Sequence, residues 1–175
     1  MINRNLIRIR VVQLVYSWYQ NTNKDLRNAE KELLFGLQKS YDLYYYLLLL
    51  MIEVTKAYEN RVETKRNKFL PTEEDINPNT HLLENKFILQ LSENKQLLKY
   101  LTDRPLSWDD NDAFVKNLLD TILESEIYKS YSLIPSPTYD QDREFWRKTF
   151  KQIIYGNENL DDLLEDECIY WNDDI

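Results

Sequence analysis

Leu34, Leu37, Tyr41, Tyr44, Leu48, Met51, Thr55, Tyr58 and Val62 recur at alternating spacings of three and four. That is the period of one face of a long helix. The pattern predicts a helix from about Leu26 to Lys68, which at ~1.5 Å per residue extends on the order of 60 Å unless Gly36 or Ser40 interrupts it. Leu47–Leu50 is apolar on every face and needs partners on several sides, so the seam predicts packing within the chain rather than a coiled-coil dimer. With only two glycines and five prolines there is little material for β-turns. The expected class is all-α, a helical bundle with one long helix and no sheet.

The other elements follow from punctuation. Asn21-Thr22-Asn23 reads as a polar break, and Pro71 with Asn77-Pro78-Asn79 as a connection. Thr80 is the expected cap of a helix bearing Phe87, Leu91, Leu97, Leu98 and Leu101, ending before Pro105. Ser107 and Asp110 have capping-box spacing for a helix with Phe114, Leu118, Leu119 and Ile122 that should end near Tyr131. After the rigid Pro135-Ser136-Pro137 segment, Thr138 and Gln141 repeat that spacing before Phe145, Trp146, Phe150, Ile153 and Ile154. Gly156 should end this helix, and Leu160, Leu163, Leu164, Cys168 and Trp171 trace one face of a last one. Trp171 and Ile175 either pack back on the bundle or stay uncovered, as they would if further helices followed.

The first twenty residues contain no acid but include Arg4, Arg8 and Arg10, in a chain of formal net charge -8. At helical spacing Asn3, Arg10, Gln13, Ser17 and Gln20 share a narrow polar stripe. Ile7, Val11, Leu14, Val15 and Trp18 form one apolar face, and Ile9, Val12 and Tyr16 another. So apolar a helix is expected to be central to the fold. Its arginines either pair with the protein's own carboxylates or project towards an anionic partner. Gly156–Ile175 holds eight acids and no Lys or Arg, so the rest of the chain is balanced in charge. This argues against indiscriminate nucleic-acid binding while leaving room for a small oriented RNA site. A second basic cluster, Lys56, Arg61, Lys65, Arg66 and Lys68, complements the negative end of the long helix. Within it Lys65, Arg66 and Lys68 are candidates for an auxiliary RNA contact.

Little points to catalysis. The single histidine, His81, is expected to be a surface residue at a helix start, and the single cysteine, Cys168, a small buried hydrophobe. No metal-ligand cluster, phosphate-cradling glycine loop or nucleophile motif is present in the sequence, and the acids of the last helix read as a solvated face. The expectation is a non-enzyme with no catalytic residue, no metal site and no cofactor. The longest apolar run, Leu43–Ile52, is ten residues against the roughly 20 that span a bilayer, so no membrane partner is expected. No signal-peptide pattern opens the chain, and a cytoplasmic location is the default.

Arg8, Val12-Gln13 and Val15-Tyr16-Ser17-Trp18 resemble the opening helix of the transcription antitermination factor NusB family. Phe150, Ile153-Ile154 and Gly156, followed by Leu160, Leu163-Leu164 and Trp171, are similar to that family's third-helix motif and the amphipathic helix after it. The resemblance covers about residues 1–22 and 145–172. It implies NusB-like N-terminal helices at 1–22 and 140–175, with 23–139 as a helical insertion packed on them. The chain then resembles the N-terminal half of a long member of the family.

The resemblance also implies recognition of boxA-like RNA during ribosomal RNA transcription. A small-subunit ribosomal protein and the transcription elongation complex would be the partners. By motif position Arg4 and Arg8 correspond to the family's RNA contact, and Arg10 is an additional basic residue. Asn5 and Leu6 thin the family's arginine run. The alternative is a helical scaffold that docks another helix through its seam and through Tyr41, Tyr44 and Tyr58, without RNA.

Overall fold

The computed structural model describes residues 4–20, 25–70 and 72–171, with the side chain of Glu74 excepted. Asn3, the Asn21-Thr22-Asn23 break, Pro71, Asp173, Asp174 and Ile175 therefore lie outside the described residues. Among the described residues every regular element is a helix. In order these are α1 (Arg4–Gln20), α2 (Leu26–Arg66), α3 (Glu73–Ile76), α4 (Lys86–Ser92) and α5 (Lys95–Asp103). A 3-10 turn at Asp109–Asn111 leads into α6 (Asp112–Glu124), then α7 (Glu126–Ser132) and α8 (Tyr139–Thr149). A π-helical turn at Phe150–Ile154 precedes α9 (Glu158–Glu167). The chain forms two compact units, Met1–Tyr45 with Glu158–Ile175, and Tyr46–Asn157. None of the described helices is long and apolar enough to cross a membrane.

The long helix forms as expected and runs through Gly36 and Ser40 without a break. Ser40 Oγ donates to the Gly36 carbonyl at 3.3 Å, so its hydroxyl is satisfied one turn back and the ladder continues. The predicted seam is only half right. Met51, Tyr58 and Val62 are buried, but Leu34, Tyr41 and Tyr44 are exposed. Burial at the N-terminal end falls instead on Ala29, Gly36, Asp42 and Leu43. From Tyr46 to Val54 almost every position is buried, as the Leu47–Leu50 run required.

In the Tyr46–Asn157 unit, that stretch is met by Trp108. Its ring stacks on Tyr46 at 4.0 Å between centroids and 10° between planes, and on Phe114 at 5.8 Å. Its Nε1–H donates to the Tyr46 carbonyl at 3.0 Å, giving the buried indole the partner it needs. From α6, Val115, Leu118, Leu119 and Ile122 are buried. From α8, Phe145 is buried and stacks on Tyr131 of α7 at 4.3 Å.

Several helix boundaries differ from expectation, each for a local reason. The segment after Thr80 is a turn, and the cap is Asn85, whose side chain accepts from the Ile88 N–H. Asn94 opens a separate helix by accepting from Gln96 and Leu97 N–H groups, so the expected single helix is two. Ser107 accepts from Asp109 N–H two residues on, forming a turn in place of the capping box. Ser125, extended at ψ 149°, ends α6 and caps α7 through Tyr128 N–H, which splits the helix expected to reach Tyr131. The Thr138–Gln141 capping box forms, and Gly156 at φ 74° ends the α8 segment.

His81 is half-buried and ties two loops together. Its Nδ1 lies 2.7 Å from Asn79 Oδ1 and its Nε2 lies 2.6 Å from the Ile134 carbonyl. Behind it Asp142, buried, accepts from Lys86 N–H at 2.9 Å and from Tyr131 OH at 2.7 Å, and Asn85 donates to the same phenol oxygen at 3.0 Å. Burial, with the Asp142 carboxylate beside it, pushes the Tyr131 phenol well above its ordinary pKa and keeps it a donor.

Trp108→Ala removes both the stack and the indole bond, and should cost about 3–5 kcal/mol in urea unfolding followed by circular dichroism. Trp108→Phe should lose less, because the ring remains.

Candidate nucleic-acid interface

α1 belongs to the Met1–Tyr45 and Glu158–Ile175 unit, and its side chains are oriented against the sequence-based expectation. No α1 residue is buried, so it is not the central helix its apolar content predicted. Its packed side carries Leu6, Arg10, Leu14, Ser17 and Trp18, all half-buried. Its outer side carries Ile9, Val12, Tyr16 and Tyr19, exposed by 55%, 67%, 68% and 72%. Of the polar stripe, Arg10 and Ser17 are turned inward, where they meet polar groups, while Gln13 and Gln20 are exposed. Arg10, Gln13 and Ser17 line a groove of about 410 Å³ with Glu32, Gly36 and Tyr170.

Arg10 is committed to that inner side. Its Nη2 donates to the Tyr170 carbonyl at 2.6 Å and its Nη1 to Gln13 Oε1 at 3.3 Å. Tyr170 in turn meets Phe35 edge-on at 5.3 Å, and a Cβ at Gly36 would lie 3.7 Å from the tyrosine ring, ordinary contact distance. Trp171 packs back in the same region: it is buried, and its Nε1–H donates to the Lys39 carbonyl at 2.8 Å. The idea of an uncovered Trp171 is thereby corrected. On the same segment Leu160 and Leu164 are buried, while Cys168 is only half-buried.

Arg4 and Arg8 stand apart from Arg10. Both are exposed and neither forms an ion pair among the described residues. They lie four residues apart on α1, whose first turn has no acid. Like charges at that spacing repel, and Arg4, in the first turn of α1, also faces the positive end of the helix dipole, where cations are disfavoured. An anion placed there relieves both terms, and the guanidinium fork matches phosphate oxygens.

The second basic cluster belongs to the Tyr46–Asn157 unit and is largely paired. Lys56 meets Glu53 at 2.8 Å, Arg61 pairs with Asp120, and Lys68 meets Asp75 at 3.2 Å. Asp75 also accepts from Thr72 N–H, and these bonds, the backbone one foremost, hold its carboxyl below its ordinary pKa. Lys65 and Arg66 are exposed and form no ion pair among the described residues. Of the auxiliary candidates, then, Lys68 already has an acidic partner and the other two do not.

The outward stripe of α1 is the feature that periodicity misplaces. Ile9, Val12 and Tyr16 form an apolar face in the sequence and are exposed; of the other apolar face Leu14 and Trp18 are half-buried, while Ile7, Val11 and Val15 are exposed. In the Tyr46–Asn157 unit a groove of about 570 Å³ is lined by Ile127, Tyr131, Ile134 and Phe145. Its rim acid Glu144 is engaged by Arg147 at 2.6 Å and held below its ordinary pKa. Among the described residues no cluster of three or more His, Cys, Asp or Glu is placed to hold a metal ion. No protein-family model, curated protein or solved structure matches this chain.

Two outcomes follow. Arg10→Ala should lower stability by about 1.5–3 kcal/mol through loss of its charged hydrogen bond, while Arg8→Ala stays within about 0.5 kcal/mol, both read by chemical denaturation. Because the Asp75 pKa is depressed on folding, its stabilisation is present above the ordinary carboxylate range and is lost as pH falls through the folded value. Asp75→Asn should therefore flatten the acid limb of the stability profile.

Proposed function

We propose that this chain is an RNA-binding transcription antitermination factor of the NusB type, taking boxA-like RNA during ribosomal RNA transcription. A small-subunit ribosomal protein and the elongation complex are its partners in this reading. One observation carries it: Arg4 and Arg8 stand exposed and without ion pairs among the described residues, at the acid-free start of the helix that resembles the family's opening helix. Arg10 holds the Tyr170 carbonyl and serves as the arginine that fixes α1 in place. Phosphate contacts by Arg4 and Arg8 position single-stranded RNA, and base reading falls to neighbouring groups. Lys65 and Arg66 are the auxiliary cations of this reading. The protein acts in the cytoplasm, without catalysis and without a cofactor.

A second reading, a helical protein-interaction module, is favoured by a different observation, the outward stripe Ile9, Val12, Tyr16 and Tyr19. It shifts the docking face from the tyrosines first expected. Tyr58 is buried and donates to the Asn79 carbonyl at 2.7 Å, leaving Tyr41 and Tyr44 exposed.

Fluorescence anisotropy with boxA-like and scrambled RNA, at two salt concentrations and with or without the ribosomal partner, separates the readings. The RNA reading expects preferential, salt-sensitive binding that the partner strengthens. Arg4→Ala with Arg8→Ala should weaken it and lower the slope of log affinity against log salt by roughly 0.7 for each phosphate no longer neutralised. Unchanged binding in that double variant removes the role given to the two arginines.

A further inference from the structure

The outer face of α1 is built like one half of a helix pair. Ile9, Val12, Tyr16 and Tyr19 follow one another at spacings of three, four and three, which places them in a single line along the helix. All four are exposed, and the opposite side of the helix is the packed one. Two of the four are tyrosines, whose large, stiff, amphipathic rings are favoured at the centre of interfaces. The line is therefore an apolar seat more than half exposed at each position.

The borders of the seat say what can occupy it. On one side run Arg4 and Arg8, exposed and without ion pairs among the described residues, followed in the same row by the exposed Val11 and Val15; on the other run Gln13 and Gln20. No acid occurs anywhere between Arg4 and Gln20. A partner with basic flanks would place like charges beside Arg4 and Arg8, whereas acidic flanks meet complementary ones. A second copy of the same helix offers no acid in return.

Resting on the second reading above, we propose that the Ile9–Val12–Tyr16–Tyr19 face of α1 docks an amphipathic helix of another protein, one with an apolar stripe bordered by glutamate or aspartate. The apolar line provides the seat, and Arg4 and Arg8 select the acidic flank.

Two synthetic helical peptides with leucine at positions a and d test this, one with glutamate and one with lysine at e and g, titrated against the full chain. The glutamate peptide should bind at least tenfold more tightly than the lysine peptide. Val12→Asp should weaken it at least tenfold with helical content unchanged by circular dichroism, since Val12 is an exposed position. Arg8→Ala should weaken it several-fold and reduce its salt dependence. Equal binding of the two peptides, or binding insensitive to Val12→Asp, overturns the inference. So does a wild-type dimer in sedimentation equilibrium that Val12→Asp makes monomeric, although that result preserves the docking-module reading with a second copy as occupant. A monomer that binds neither peptide removes both.

Discussion

Within the Tyr46–Asn157 unit, the structure depends on a stretch of α2 that is apolar all the way round. From Tyr46 to Val54 the helix has almost no face it can leave in water, so its neighbours must surround it. The rest of the unit is divided into short helices, and at Asn94 and Ser125 the breaking residue caps the helix that follows. Trp108 sits where the demand is greatest, stacked on Tyr46 and donating to its carbonyl.

The same unit carries a polar network in its interior. Asp142, Tyr131 and Asn85 are buried and bonded to one another, and His81 links the Asn79 turn to the Ile134 carbonyl. A carboxylate out of water is costly unless its lone pairs are filled, and Asp142 receives a backbone N–H and a phenol. The network fixes the path of the Pro135–Pro137 segment, which has few backbone donors of its own: Lys86 Nζ also donates to the Pro137 carbonyl at 2.8 Å.

α1 follows a different logic. Its inner side packs an arginine and a serine beside Leu6, Leu14 and Trp18, while its outer side leaves isoleucine, valine and two tyrosines exposed. Burying such side chains is worth about 1.5–3 kcal/mol each before the costs of association, so leaving them exposed is a substantial unused driving force. The basic charge at the start of the helix and the apolar line along it are adjacent. Both proposals draw on that adjacency, one on the charge and the other on the apolar line.

The sequence by itself determined the fold class and the long helix, because a period of three and four sustained from Leu34 to Val62 admits no other element. It also determined the Thr138–Gln141 box and the Gly156 stop, which are local hydrogen-bonding and backbone choices. It located the basic start of α1 as well. What it could not decide was which residue of a competing pair would cap: Thr80 against Asn85, or the Ser107 box against a short turn. Nor could it decide which side of α1 would be covered. Periodicity sorts residues onto faces, but choosing the inner face requires a partner surface. Here that surface includes the Tyr170 carbonyl, which accepts from Arg10 and holds that arginine on the inner side. Only the tertiary structure separated Arg10, bound within the fold, from Arg4 and Arg8, which stand exposed.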